Sequence, residues 1–284
     1  MLLGFLLLGC MPVLVKLAPQ RGLHAADVVL WRFLIGCFLV AITVALTRAR
    51  LRTEQLGMLL LRGVLGAVAV QLYFASIQLA GAGLGTLLNY TYPVWANAIA
   101  ALVGHRAPRG FWPLLGVAIA GVVLVVDPVF SSVGLGEILG LASAVVAGGA
   151  VLTIKKLRET DGELAILLSF SALGALLALP TALVTGFAGR ADRLTSDGLA
   201  WLLLIGVGVL SYFGQLLFTR GYKDTSIELG TVLSLTVPVV ASLTGFLFAN
   251  ETLSVGYFVG GGMILLACAL LGRQSSRRER PGVR

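Results

Sequence analysis

Two polar stripes carry the residue types able to hold a small organic molecule inside an apolar protein. Thr86, Asn89, Pro93 and Asn97 follow at spacings of 3, 4 and 4, which puts them on one face of a helix. Thr231, Ser234, Pro238 and Ser242 repeat the same pattern further along the chain. A helical proline removes one backbone hydrogen bond and frees the carbonyl a turn earlier. Here those carbonyls belong to Asn89 and Ser234. A freed carbonyl beside an amide or hydroxyl makes a ligand-binding point and a joint. The competing reading is interhelical packing, in which small polar groups bond across neighbouring helices.

Aromatic and amide side chains add to this inventory. Tyr90 and Tyr92 flank Pro93, and Tyr73 and Tyr212 sit within other apolar runs. Each can stack a flat solute and donate a hydrogen bond, or simply pack. Gln71 and Gln78, seven apart, form a further polar face, with Gln215 as the nearest counterpart in the second half. Three cations lie inside apolar runs: Lys16, Arg32 and Arg62. Arg32 stands about five residues into its run, roughly 7 Å below the end at about 1.5 Å per residue. A cation turned to a cavity favours an anionic or carboxylate-bearing solute; one at a helix end snorkels to lipid headgroups. Arg32 and Lys16 are taken as substrate candidates. Lys155 and Lys156 read more simply as end-of-helix charges.

No acid lies near the middle of an apolar run. Asp27, Glu137, Glu163, Glu228 and Glu251 all fall near run ends, and His24 and His105 fall between runs. A proton-driven carrier needs a titratable group within the membrane. Facilitated diffusion or exchange, or coupling through an unusual group, is therefore expected, with Glu228 as the best remaining carboxylate. Cys10, Cys37 and Cys268 are scattered through apolar runs, with neither disulfide nor metal spacing. No metal or cofactor is expected.

The elements that hold these residues follow from composition. Of 284 residues 58% are apolar and only 12% charged, about half the usual charged share. Such a chain cannot cover its apolar surface in water, and a bilayer removes the conflict. Each crossing takes about 20 apolar residues, so this length holds about ten. The runs fall near 1–18, 27–47, 57–80, 84–103, 111–126, 135–155, 163–186, 198–218, 227–249 and 254–272. Open sheets cannot stand in lipid, so the runs are helices. The first run lacks a basic lead and a small-residue cleavage site, so no cleavable signal peptide is expected.

Orientation follows from Lys and Arg. With the N-terminus cytoplasmic, the inner connections and tail hold 15 of them, including Arg48, Arg50, Arg52, Lys155, Lys156, Arg158, Arg220 and Lys223. The outer connections hold three: Arg21, Arg190 and Arg193. The net charge of +8 is thus a topology signal and requires no nucleic acid. A multi-pass plasma (inner) membrane protein with both termini cytoplasmic is expected, in contact with lipid and with a small-molecule substrate.

The sequence also repeats itself. Leu84-Gly85-Thr86-Leu87-Leu88-Asn89-Tyr90-Thr91-Tyr92-Pro93 matches Leu229-Gly230-Thr231-Val232-Leu233-Ser234-Leu235-Thr236-Val237-Pro238 at six of ten positions, at an offset of 145. Two five-helix units fit that spacing: 1–126 and 127–272, followed by a basic cytoplasmic tail, 273–284. Five is odd, so the second unit enters the membrane from the opposite side. Inverted repeats of this kind place a substrate site at the repeat interface near the midplane.

These segments resemble the drug/metabolite transporter superfamily, in particular its ten-helix group with two EamA-type domains. Trp31-Arg32-Phe33, Tyr73-Phe74-Ala75 and Asn250-Glu251-Thr252-Leu253-Ser254 add to the resemblance. The turn Gly104-His105-Arg106-Ala107 and the stretch Leu8-Gly9-Cys10-Met11-Pro12 depart from the family pattern. The resemblance implies a basket of helices 1–4 and 6–9 around a central cavity, helices 5 and 10 outside it, and export of amino acids or related metabolites.

The expected fold is thus an all-α integral membrane protein of ten helices in two inverted repeats. The expected function is alternating-access transport of a small organic metabolite. The candidate substrate-binding residues are Lys16, Arg32, Gln71, Tyr73, Gln78, Asn89, Tyr90, Pro93, Asn97, Tyr212, Gln215, Ser234 and Pro238. An intramembrane enzyme would need clustered acids, histidines or a metal motif, and no H-E-x-x-H or paired carboxylate occurs. A channel would want a continuous polar pore, which two isolated stripes do not make. The glycine pairs Gly136/Gly140 and Gly256/Gly260 have the spacing of close helix contacts. They serve packing within a monomer or, at Gly260-Gly261-Gly262, a homodimer.

Overall fold

The computed structural model describes residues 1–104, 107, 110–126, 134–185, 197–248 and 255–278. His105, Arg106, Arg109, Asp127-Pro128, Arg190, Arg193, the Asn250–Ser254 turn and the tail beyond 278 lie outside the described residues, as do the side chains of 272–278.

The first apolar run forms α1 (Leu2–Gly9) and α2 (Met11–Leu17), closed by a short 3₁₀ turn, Ala18–Arg21. Then come α3 (Ala25–Thr47), α4 (Leu56–Ala80), α5 (Ala82–Asn89), α6 (Tyr92–Leu102) and α7 (Phe111–Val126). The second half supplies α8 (Leu135–Leu157), α9 (Glu163–Val184), α10 (Gly198–Gly221), α11 (Ile227–Leu233), α12 (Thr236–Phe248) and α13 (Val255–Arg278). Among the described residues, seven helical segments are long and apolar enough to cross a membrane. They count α1–α2 and α11–α12 as one crossing each. Two shorter apolar helices, in α7 and α13, and the split pair α5–α6 complete the ten.

Three crossings are broken, each just before a proline. The breaks fall at Cys10, at Tyr90-Thr91 and at Ser234-Leu235, ahead of Pro12, Pro93 and Pro238. A proline ring cannot donate to the preceding turn and clashes with its carbonyl, so each helix stops and restarts. Three of the long helices without such a break, α3, α8 and α10, are started by side chains. Asp27 accepts from the His24 amide at 2.9 Å, Glu137 accepts from the Gly134 amide at 2.9 Å, and Asp197 accepts from the amides of Leu199 and Ala200. The acids at run ends therefore include three that satisfy the orphan N–H groups of helix starts.

Packing is symmetric under exchange of the two halves. α4 lies on α8 and α9; correspondingly, α10 lies on α1 and α3. α6 meets α8 as α12 meets α1, while α3·α9 and α7·α13 each pair a helix with its own counterpart. This is the architecture of two inverted five-helix repeats. Small residues permit the close crossings. A methyl at Gly140 would stand 2.7 Å from Ser76 Oγ, and one at Gly121 would stand 2.6 Å from the Gly260 carbonyl. Gly140 and Gly260 are thus occupied within the chain, at the α4–α8 and α7–α13 contacts. Leucine, phenylalanine and valine left exposed along the helices, such as Leu46, Leu202, Phe258 and Leu265, form an exterior suited to lipid.

Candidate functional site

α4 and α10 are the long central helices of the two halves, and the broken crossings end beside them. Between them lies a cavity of about 110 Å³. Seven of the ten crossings line it: α1 and α2 with Phe5, Leu8 and Met11; α3 with Arg32; α4 from Arg62 to Phe74; the α5–α6 break with Asn89, Tyr90 and Tyr92; α8; α9 with Phe170; and α10 with Gln215 and Phe218. α7 and α13 pack on each other outside it.

Two arginines dominate the lining. Arg32 and Arg62 are each only 3% exposed. Arg32 lies seven residues into α3, about 10 Å from its start at about 1.5 Å per residue, somewhat deeper than the run boundary suggests. Its Nε donates to Ser211 Oγ at 2.6 Å, and Ser211 in turn donates to Met11 Sδ at 2.9 Å. The Arg32 guanidinium lies 5.2, 5.6 and 5.5 Å from the ring centres of Phe33, Phe74 and Phe170. The Arg62 guanidinium lies over the same Phe170 ring at 4.3 Å. The two cations therefore share one aromatic ring as a neighbour. Such contacts contribute about 0.5–2 kcal/mol each, which does not offset burial of a guanidinium. The ion pairs among the described residues lie elsewhere, at Arg21–Asp197, Arg52–Glu54, Lys156–Glu159, Arg158–Glu163 and Arg220–Glu163. Neither cavity arginine has a carboxylate partner among them. Buried N–H groups at Arg32 Nη1 and Arg62 Nε find no acceptor among the described residues.

Polar groups of neutral charge line the rest. Tyr73 and Thr86 share a hydroxyl hydrogen bond of 3.0 Å, and Asn89 Nδ2 donates to Ser143 Oγ at 2.8 Å. The rings of Tyr73, Tyr90 and Tyr92 follow one another at 6.5 and 5.9 Å. Tyr90 sits at the α5–α6 break and touches all three large apolar clusters of the protein. Shifts of that break are therefore felt by both halves.

The structure brings together five of the residues expected from the sequence: Arg32, Tyr73, Asn89, Tyr90 and Gln215. Tyr212 lies next to them, lining a small void with Arg32 and Gln215, its hydroxyl bonded to Thr43. Gln71 and Gln78 line a different, larger cavity of about 380 Å³ between the starts and ends of α3, α4 and α9. Pro93, Asn97, Ser234 and Pro238 do not reach the cavity. Asn97 Nδ2 donates across to the other broken crossing at Thr231 Oγ1, 3.2 Å away, while its bond to Pro93 O at 2.8 Å and that of Ser234 Oγ to Thr231 O at 2.6 Å stay within their own crossings. In the first stripe the break separates Pro93 and Asn97 from Asn89; in the second, Ser234 stands ahead of its break and is fully buried against Thr231. Lys16, in the last turn of α2, is half-buried and outside the cavity lining. Lys155 donates to the carbonyls of Tyr222 and Thr225, just past the end of α10, and Lys156 pairs with Glu159. Both are end-of-helix charges. Glu228 is buried in the first turn of α11, near the end of its crossing.

Sequence reasoning passed over Arg62 and Phe170. Phe170 is one phenylalanine among 13 and carries no local signal. Arg62 carried one: a cation within an apolar run, followed at one helical turn by Gly66. A methyl at Gly66 would collide with the Arg62 guanidinium and the Phe170 ring, so the glycine makes room for the arginine.

Comparison with known proteins decides the family. The EamA-like transporter family matches residues 1–127 and again 134–273. The chain belongs to the EamA-like transporter family. A pseudopaline exporter, CntI, of Pseudomonas aeruginosa is 31% identical over 265 residues, covering 93% of this chain and 91% of that one. A riboflavin transporter of Vibrio cholerae is 24% identical over 92% of this chain and 88% of its own length. One solved crystal structure has the same fold, with a TM-score of 0.73 at 18% identity over 98% of this chain and 99% of the other. This EamA-family chain is a multi-pass membrane transporter of small molecules, as its relatives are.

Proposed function

We propose that the chain is an alternating-access carrier that exports or exchanges a carboxylate-bearing metabolite, an amino acid or related solute, across the plasma membrane. Both termini face the cytoplasm in this reading. The observation that carries it is the pair of buried arginines with no carboxylate partner among the described residues, facing a cavity where the two repeats meet. A buried cation costs several kcal/mol unless something compensates it, and an anionic solute arriving in the cavity does so. The exporter among the relatives supports the outward direction.

Movement uses the three proline breaks as joints while the units 1–126 and 127–272 rock against each other. Cytoplasmic closure rests on the α3–α4 and α8–α9 connections. Asp161 Oδ1 accepts from the amides of Glu54 and Gln55 at 2.9 and 3.4 Å, and the Gly162 amide donates to Arg52 O at 3.1 Å. These bonds join the two units at the inner face.

The test is counterflow in proteoliposomes with labelled amino acids and related metabolites, with and without a proton gradient. Saturable exchange indifferent to the gradient, and reduced at least tenfold by Arg32→Gln, is expected. Flux that never saturates would indicate a channel, and gradient-driven accumulation would point to a carboxylate such as Glu228.

A further inference from the structure

The cavity holds not one unmet cation but two, and they approach from different directions. Arg32 enters from α3, seven residues from its start, and Arg62 enters from α4, six residues from its start on the opposite side of the expected membrane. Their guanidinium carbons stand 5.5 and 4.3 Å from a single ring centre, that of Phe170. Arg32 spends its Nε on Ser211 and keeps Nη1 free; Arg62 keeps Nε free. Both arginines line the same cavity, and neither has met all its N–H groups among the described residues. A guanidinium fork matches one carboxylate in a bidentate pair. A ligand with a single carboxylate meets one fork and leaves the other cation buried and unpaired.

From this geometry we infer that the substrate carries two carboxylates on one small organic frame, and that Arg62 is the second anchor that selects for it. This inference rests on the carrier reading above and names its substrate class. Phe170, in contact with both guanidinium groups, offers its ring to the frame that joins the two carboxylates. Tyr73, Asn89 and Tyr90 remain for its polar substituents. Gly66 leaves the space in which the Arg62 fork lies, so a side chain there displaces the second anchor and presses on the Phe170 ring.

The experiment reads binding apart from transport. The purified full chain in detergent is melted with α,ω-dicarboxylates of increasing length, from malonate to pimelate, beside their monomethyl esters and chloride at matched ionic strength. A dicarboxylate of fitting length, at about 100 times its Kd, is expected to raise the melting temperature by roughly 5–10 °C. Its monoester is expected to raise it far less. Arg62→Gln is expected to erase the difference between diacid and monoester, and Arg62→Lys, which keeps the charge but not the fork, to retain part of it. Ligand-free melting of each variant reports its folding, and Gly66→Ala is a second route to the same loss. The inference is overturned if no diacid separates from chloride, or if the diacid preference survives Arg62→Gln. Counterflow of a neutral or monoanionic solute indifferent to Arg62 would remove the dianion inference and leave the carrier standing. Diacid stabilisation without counterflow of any solute would do the reverse.

Discussion

At the scale of single residues, the protein keeps charges where stability alone would not put them. Arg62 is buried, stacked on Phe170 and without an acidic partner among the described residues. Two like charges that share one ring are at most about 10 Å apart and repel by at least about 1.7 kcal/mol at an effective dielectric of about 20, on top of the desolvation of each. Replacing Arg62 by methionine should therefore stabilise the detergent-solubilised protein by roughly 1–4 kcal/mol, read as a higher melting temperature, while counterflow falls at least tenfold. A loss of stability in Arg62→Met would mean that the arginine has a structural partner. Asn89→Ala removes the bond to Ser143 and one polar group of the cavity. It should cost about 1 kcal/mol of stability and raise the half-saturation concentration several-fold in transport assays. Arg32 was legible in the sequence because a cation deep in an apolar run has few explanations. Arg62 met the same criterion, yet only the fold shows that it turns toward Arg32 rather than toward the headgroups. Phe170 was illegible, since one apolar residue among apolar neighbours reveals nothing about which ring lies between two charges.

At the scale of elements, the three proline breaks decide where polar groups end up. The stripes at Thr86–Asn97 and Thr231–Ser242 were readable from spacing, and so was their duplication. That reading assumed continuous helices. The breaks at Tyr90-Thr91 and Ser234-Leu235 divide each stripe, so Asn89 lines the cavity while Asn97 bonds to Thr231 in the packed contact between the broken crossings. Proline-induced breaks are known in kind from sequence, but their turn angle is set by tertiary packing. If the breaks are joints, Pro93→Ala and Pro238→Ala should allow more regular helices and slow exchange several-fold with substrate affinity little changed. Comparing turnover with ligand-induced melting shifts checks this, and equal losses in both would indicate a binding role instead. The end-of-run acids gain a physical account here too: Asp27, Glu137 and Asp197 cap helix starts, which is why they sit at run ends.

At the scale of the whole molecule, the ten crossings and their inverted duplication were carried by composition, run spacing and one ten-residue repeat, and the transporter family by the resemblance of that repeat and of motifs such as Trp31-Arg32-Phe33 to a known family. The packing then obeys the same exchange, α4 on α8 and α9 as α10 on α1 and α3. What holds the α3–α4 and α8–α9 connections together was not legible, because Asp161 and Gly162 lie in a short polar connection that matches no motif. Asp161 is 3% exposed and accepts two backbone amides from the other half. Asp161→Ala leaves those amides unsatisfied, at about 1–3 kcal/mol, and should shift the carrier toward its inward-open form. Labelling of a cysteine placed at Ile154, from the cytoplasmic side, should rise; unchanged labelling would mean that these bonds do not close the inner face. The central claim is that two buried arginines form an anion site that the carrier moves across the membrane. The measurement that tests it most directly is counterflow of a labelled carboxylate-bearing metabolite in proteoliposomes of wild type, Arg32→Gln and Arg62→Gln. The account predicts saturable exchange in the wild type, loss of at least tenfold in each variant, and folded protein throughout. Exchange that persists undiminished in both variants would contradict it.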